Sequence, residues 1–288
     1  MEIIKEINKD ILAKDICFIP TMGALHRGHA SLIKEGKKSS LPVMVSIFVN
    51  QMQFNDKEDF NNYPKPIEED IKILKNFDID YLFIPENDYI YPKNNFEKVS
   101  SGNLGKQLEG SSRPGHFDGV LTVVNRFFEL INPKIAIFGK KDAQQLFLIN
   151  KMVVNKEYEI EIIACPTIRE TTGLAFSSRN SLLTNTGKDK AALLYEILKS
   201  TQKDFYSKGK TNFLENLSSN YLDTEIDIDY LEILDLATFS KPTENTEEYI
   251  ILIAANIENL RLIDNIDFKL EDKWKKLLLL MLEIVKQL

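Results

Sequence analysis

Two histidines three residues apart, His26 and His29, lie in the stretch 16–32, ICFIPTMGALHRGHASL, and define the first chemistry open to this chain. An apolar run, Ile16-Cys17-Phe18-Ile19-Pro20, reads as a buried strand, and the residues from His29 onward read as a helix. The glycine-bearing segment between them is then a strand-to-helix loop. Such a loop brings free backbone N–H groups and the positive end of a helix to one point, which suits a phosphate. With a helix start near His26, the i, i+3 spacing lays both imidazoles over the first turn, and Gly28 leaves the backbone open to close approach. Two imidazoles could then grip one polyphosphate. The plainer alternative is a helix cap with a surface histidine beside it, because short motifs match by accident.

Other polar clusters offer complementary chemistry. Lys141 and Asp142 follow Gly139 and Lys140 at the end of an apolar run, where a Lys can hold phosphate and an Asp can cap a helix or bind a ribose hydroxyl. Ser177-Ser178-Arg179-Asn180 supplies two hydroxyls and a guanidinium that could stabilise charge moving onto pyrophosphate. Asn50, Gln53 and Gln145 are uncharged amides suited to a small substrate that already carries a carboxylate, and Arg113 could neutralise that carboxylate or a phosphate. An ordinary charged helix start, a solvated turn and solvent-facing amides are the competing readings. There is no Cys-His or Ser-His-Asp nucleophile arrangement and no acidic cluster of a dedicated metal cage, so positioning and electrostatics would be the mechanism.

The elements that must position these residues read as alternating strands and helices over the first 170 or so residues. Strands are predicted at 16–20, 43–50, 80–85, 134–139 and 161–165, with helices at 29–38, from Pro66, at 117–131 and at 141–154. This is an α/β pattern: a Rossmann-like, doubly wound parallel sheet covered on both faces. Ligands of such sheets collect at the carboxyl ends of the strands, where four polar clusters fall: His26 with His29, then 50–54, 139–142 and 169–180. The three histidines, His26, His29 and His116, all lie in or beside glycine-bearing loops. After residue 184 the texture changes to a helix at 188–206, a break at Gly209, a helix at 211–221 and strands at 226–234 and 248–257, a smaller α+β domain. The predicted organisation is 1–182 for the sheet domain, 183–265 for the α+β domain and 266–288 for a helical extension, apolar over more than one face and so needing burial.

The balance of 36 basic and 43 acidic residues, net charge −7, disfavours nucleic acid as a partner and requires a local site for any anion. Cys17 and Cys165 read as buried small hydrophobes. The N-terminal MEIIKEINKD has no secretory pattern and no apolar run approaches membrane-span length, so the cytoplasm is the expected address.

The segments PTMGALHRGH (20–29), SIFVNQMQF (46–54), RPGHFDGVLTVV (113–124), FGKKDAQQL (138–146) and RETTGLAFSSRN (169–180) each resemble a block of the pantothenate synthetases, or pantoate-β-alanine ligases, and come in that family's order. RLIDN (261–265) resembles the family's usual ending. The resemblance implies a homodimeric enzyme that condenses (R)-pantoate with β-alanine at the expense of ATP, giving AMP and pyrophosphate through pantoyl adenylate. It implies ATP binding by Met22, Gly23, Ala24, Leu25, His26, Arg27, Gly28 and His29, with His29 as proton donor. It further implies nucleotide contacts from Gly139, Lys140, Lys141, Asp142, Ile168, Phe176, Ser177, Ser178 and Arg179, with Mg²⁺ on the phosphates, and a closing SSRN loop that keeps water from the adenylate. Gln53 would bind both pantoate and β-alanine, and Gln145 pantoate. The chain departs from the family at Phe176, commonly Met, at Lys140, usually Glu, and at Ala143, often aromatic. A rival in the same HxGH superfamily is a nucleotidylyltransferase acting on a phosphorylated acceptor, which would call for more basic residues than these neutral amides. A non-catalytic nucleotide- or RNA-binding module is the rival from another class, and the net charge speaks against RNA.

Overall fold

Strands form where the sequence runs apolar for a few residues between Pro, Gly or polar stops. The computed structural model describes residues 1–93, 95–216 and 226–270. Six strands, β1 (Glu2–Ile4), β2 (Cys17–Thr21), β3 (Val43–Ile47), β4 (Tyr81–Phe83), β5 (Ile135–Gly139) and β6 (Glu161–Cys165), make one sheet in the order β1-β4-β3-β2-β5-β6, every pair parallel. Between them run α1 (Lys9–Leu12), α2 (Arg27–Gly36), α3 (Lys57–Asn62), α4 (Ile67–Lys75), α5 (Asn87–Ile90), α6 (Glu109–Ser112), α7 (His116–Ile131) and α8 (Ala143–Asn155).

Side chains alternate across the sheet and build a core on each face. Phe18, Met44, Phe83 and Phe138 pack with Val120, Val124, Phe127 and Phe128 of α7 and with Leu148 and Met152 of α8. Cys17, Ile19, Val45 and Ile137 pack on the other face with Leu32 and Ile33 of α2 and Leu74 of α4. The doubly wound parallel sheet is therefore present as predicted. Cys17 and Cys165 are free and buried in it, and burial pushes both thiols up to about 11. β1 was not anticipated: three residues are too short to show a period, and the strand is fixed by pairing with β4.

The chain divides into two compact units, one of 1–168 with 176–178, the other of 169–175 with the described residues from 179 onward. In the second, α9 (Asn185–Asn216) packs on an antiparallel sheet of β7 (Asp227–Asp235), β8 (Glu248–Ile257) and β9 (Leu260–Lys269). The Thr184 hydroxyl accepts from the Gly187 N–H at 3.0 Å, and α9 starts at Asn185, three residues before the predicted span. The predicted break at Gly209 does not occur. One glycine costs a helix only about 1 kcal/mol relative to alanine, and Leu194, Leu198 and Phe205 hold α9 to Ile251 and Ile253. β9 was also unforeseen, and it carries the chain through 266–269, within the expected extension. The remainder of that extension and the end of the predicted helix at 211–221 lie outside the described residues. Among the described residues no helix is long and apolar enough to cross a membrane.

The second unit is pinned by Arg169, whose guanidinium forks onto the buried Asp264 carboxylate at 2.5 and 2.9 Å, donates to the Gly173 and Asn265 carbonyls, and stacks 3.9 Å over the Tyr195 ring. Removing one side of a buried, doubly hydrogen-bonded pair strands the other charge. Arg169→Leu is expected to lower the free energy of unfolding by about 3 kcal/mol, read from the urea midpoint at constant m-value. A change below about 1 kcal/mol would show that water readily replaces the guanidinium.

Candidate active site

β2 ends at Thr21, and the chain then turns through Gly23 and Ala24, whose φ angles are +80° and +49°. That turn is held from below by Asp70 of α4, which accepts from Ala24 N–H at 2.8 Å and from Leu25 N–H at 2.7 Å. Asp70 is 1% exposed, and burial raises its carboxyl pKa, opposed by those two N–H donors. Sequence reasoning missed it, although the signal is legible: Ile67, Asp70 and Leu74 share one helix face, so an acid stands on an apolar stripe.

His26 is the N-cap of α2, which starts at Arg27, two residues before the predicted span 29–38. Its Nδ1 accepts from Gly28 N–H at 3.1 Å, and His29 Nδ1 accepts from His26 N–H at 3.3 Å, a capping box made of two imidazoles with ring centroids 4.1 Å apart. Gly28 is required because a Cβ there would sit 2.8 Å from the His26 ring. The prediction of free loop N–H groups is corrected. Those of Ala24 and Leu25 go to Asp70, that of Gly23 to Thr21 Oγ1, and those of His26 and Gly28 to the imidazoles. A backbone N–H can only donate, so both Nδ1 atoms are acceptors and both neutral rings carry their proton on Nε2. Each ring thus keeps its Nε2–H as the donor not used by the cap. Burial lowers the pKa of His26 to about 4, helped by Lys141 and opposed by Asp142. Burial, then His26, lowers that of His29 to about 3, with Asp142 again opposing.

The Lys141 and Asp142 charges are felt at both rings, so the segment after β5 stands beside the histidines. Lys140–Asp142 form a 3-10 turn leading into α8, and the Asp142 side chain does not cap that helix but accepts from Lys141 at 3.5 Å. Of the two glutamines that follow, Gln144 is buried and donates to the Leu104 and Gln107 carbonyls, tying down the segment before α6, while Gln145 is half-buried on the first turn of α8. Phe176 stacks on His26 at 6.3 Å and lies 5.9 Å from the Arg27 guanidinium. The Ile168 carbonyl accepts from Phe176 N–H, and the Ser178 and Tyr63 hydroxyls meet at 3.3 Å. Arg179 falls in the second unit.

Gln53 closes the site on its other side, its amide Nε2 2.9 Å from Met22 Sδ. Its orientation is forced. Asn50 Oδ1 accepts from Met52 N–H at 3.2 Å and from the Tyr91 hydroxyl at 2.8 Å, so Asn50 Nδ2 must donate, to Gly119 O at 3.0 Å and to Gln53 Oε1 at 3.1 Å. Gln53 therefore turns its N–H₂ toward Met22. Asn50, predicted to meet substrate, is 1% exposed with both amide ends used within the protein; it orients Gln53 instead. Gly119 lets α7 lie directly against this turn, since a Cβ would come within 2.3 Å of Met52 O. Arg113 donates to His116 Nε2 at 3.1 Å and to Gln53 O at 3.4 Å. Among the described residues no group of three or more His, Cys, Asp or Glu is arranged to hold a metal ion.

A family model described as pantoate-beta-alanine ligase matches residues 1–267. The pantothenate synthetase of Cytophaga hutchinsonii is 44% identical over 254 residues, 86% of this chain and 90% of that protein. That of Fervidobacterium nodosum is 42% identical over 271 residues, 91% and 95% of the two chains. Among solved structures, the pantothenate synthetase of Thermus thermophilus superposes with a TM-score of 0.84 at 35% identity, covering 92% of this chain and 99% of that one. The pantoate-beta-alanine ligase of Francisella tularensis, complexed with beta-gamma ATP and beta-alanine, gives 0.74 at 38% identity, covering 92% and 97%.

The depressed histidine pKa values have a testable sign. An unfolded histidine titrates near 6.5, so as pH falls the unfolded chain takes up these protons first. The stability contributed by the neutral pair is complete above about 6.5 and lost as pH falls toward 4 and 3. In the ligand-free protein, ¹⁵N-resolved NMR should find His26 and His29 as Nε2–H tautomers that do not titrate between pH 7.5 and about 5.5. Titration of either near 6.5 would refute the assignment.

Proposed function

Because the chain belongs to the pantoate-beta-alanine ligase family, we propose that it condenses (R)-pantoate with β-alanine, using ATP and releasing AMP and pyrophosphate through pantoyl adenylate. The observation that carries this reading is the contact between Gln53 and Met22: a carboxylate-seeking amide touches the same loop that presents the two histidines. Nucleotide and acid would share one site.

In the first step a pantoate carboxylate oxygen attacks the α-phosphorus, the bond to the β-phosphate oxygen breaks, and pyrophosphate leaves with the electron pair. Gln53 and Gln145 would offer N–H groups to the acid. His26 and His29 would donate Nε2–H to phosphate oxygens with Lys141 adding full charge, so that stabilisation grows as charge moves onto the leaving group. The nucleotide's own charge opposes the burial that keeps the rings neutral, and raises their proton affinity once it is bound. That supports His29 as the group able to hand a proton to pyrophosphate. Residues 22–29 and 139–142, with Ile168, Phe176, Ser177, Ser178 and Arg179, would make up the nucleotide half of the site, and Arg113 adds positive charge beside Gln53. Mg²⁺ would arrive with ATP as part of the substrate, held by phosphate oxygens and water; a neighbourhood with Asp142 as its carboxylate fits that role better than a protein cage. In the second step the amine of β-alanine attacks the acyl carbon, the acyl–phosphate bond breaks and AMP leaves. A homodimer in the cytoplasm belongs to the same reading and rests on the family resemblance.

The purified protein should release AMP from ATP only with pantoate present, and should form pantothenate only when β-alanine is added. Turnover without pantoate, or only with a phosphorylated acceptor, would sink the proposal. His29→Ala should slow adenylation at least about a hundredfold, the scale of one lost transition-state donor, while a near-normal rate would reduce His29 to a helix cap.

A further inference from the structure

The third histidine has no part in the chemistry above, yet it is 7% exposed and fully engaged with the site's framework. His116 opens α7 immediately after Gly115, whose φ of +82° turns the chain so that the ring points at the Gln51–Gln53 turn. Its Nδ1 lies 2.8 Å from the Gln53 carbonyl oxygen and its Nε2 3.1 Å from the Arg113 guanidinium. A guanidinium can only donate, so Nε2 is the acceptor and the proton sits on Nδ1, donated to Gln53 O. This is the tautomer opposite to that of His26 and His29. Arg113 reaches the same oxygen at 3.4 Å, which gives both lone pairs of the Gln53 carbonyl a donor. The Phe117 ring, 4.9 Å away, flanks the imidazole.

We infer that His116, braced by Arg113, is a positioning residue for the two acid substrates: it fixes the main chain of Gln53 and thereby the direction of the Gln53 amide. The side chain of Gln53 is aligned by Asn50 at its oxygen, but that alignment holds only while the Gln53 main chain stays in register with Asn50 and α7, and the His116 donor supplies that register. Arg113, predicted from sequence to meet a carboxylate itself, acts here through His116 and Gln53. The nucleotide side is anchored separately, by Asp70 and the histidine capping box, so loss of His116 should be felt by the acids and not by ATP. This inference rests on the reading that Gln53 binds pantoate and β-alanine.

Steady-state kinetics of the full chain separate the two. Gln53→Ala serves as the reference and should raise KM for both acids. His116→Phe should raise KM for pantoate and β-alanine at least about tenfold while KM for ATP stays within about twofold, the scale of one misplaced hydrogen bond. His116→Asn, whose amide nitrogen can occupy the place of Nδ1, should bring both acid KM values back to within about threefold of the parent. If Gln53→Ala raises the acid KM values but His116→Phe does not, or raises that of ATP equally, or Asn gives no recovery, the positioning role is overturned and the reading of Gln53 stands. If Gln53→Ala changes neither, both are overturned. Should His116→Phe fail to fold, Arg113→Lys decides, because it keeps the charge but not the fork that reaches His116 and the Gln53 carbonyl together: a rise of about threefold or more confined to the acids supports the role, and unchanged KM values overturn it.

Discussion

β2 and β5 lie side by side at the centre of the sheet yet pair at only two positions, Cys17 with Ile135 and Phe18 with Ala136, whereas β2 and β3 pair along all of Cys17–Thr21. Beyond Phe18 the two strands part, and the strand order reverses at the same place: β3 and β4 are laid down on one side of β2, β5 and β6 on the other. Helices leaving the two strands must go in opposite directions, and a crevice opens between their carboxyl ends. Three segments of the candidate site are delivered to that opening. β2 leads into the histidine loop, β5 into Lys141 and Asp142, and β3, in full register with β2, leads into Asn50 and Gln53. The apolar cores on both faces keep the strands from closing over it, since Phe18 and Ile19 are wholly buried on opposite sides.

The histidine capping box uses one nitrogen of each ring for stability and leaves the other for the proposed chemistry. An N-cap interaction contributes on the order of 1 kcal/mol, and here it is made by Nδ1 of each ring, the atom that an incoming phosphate does not use. Capping thus fixes the proton on Nε2 and orients both rings before any ligand arrives. The cost is burial, which holds the rings neutral. Neutral donors attract an anion less strongly than cations would, but under the proposed function they would leave room for the nucleotide's charge to recruit a proton when one is needed.

The sheet was legible because the core strands are apolar runs with clear stops, and their alternation with amphipathic helices admits few topologies. β1 was not, because Glu2–Ile4 is too short for a period and exists only through its partner. β9 shows a period of two at Leu260, Leu262, Ile266 and Phe268, but Asp264 interrupts it, and the strand is completed by pairing with β8. The positions of His26, Gly28, His29, Gln53 and Lys141 follow from strand ends and spacing. What spacing does not reveal is which partner an atom takes. That the loop N–H groups are occupied depends on Asp70, 45 residues from Leu25, and that Asn50 is held to orient Gln53 depends on Tyr91 and Gly119. Long-range hydrogen bonds carry no local sequence signal beyond a polar residue on an apolar face, as at Asp70.

A chain of net charge −7 that handles anions must attract them without a general excess of positive charge. The site does so by polarity. Five of its hydrogen-bonding side chains are oriented by partners whose role is fixed: backbone N–H groups set His26, His29 and Asn50, a guanidinium sets His116, and Asn50 in turn sets Gln53. The result is that acceptors face inward, toward protein donors, and the donors of His26, His29 and Gln53 are left pointing away from those partners. Preoriented donors of this kind need no reorganisation when charge appears in front of them, which is the condition under which neutral groups stabilise a transition state most effectively.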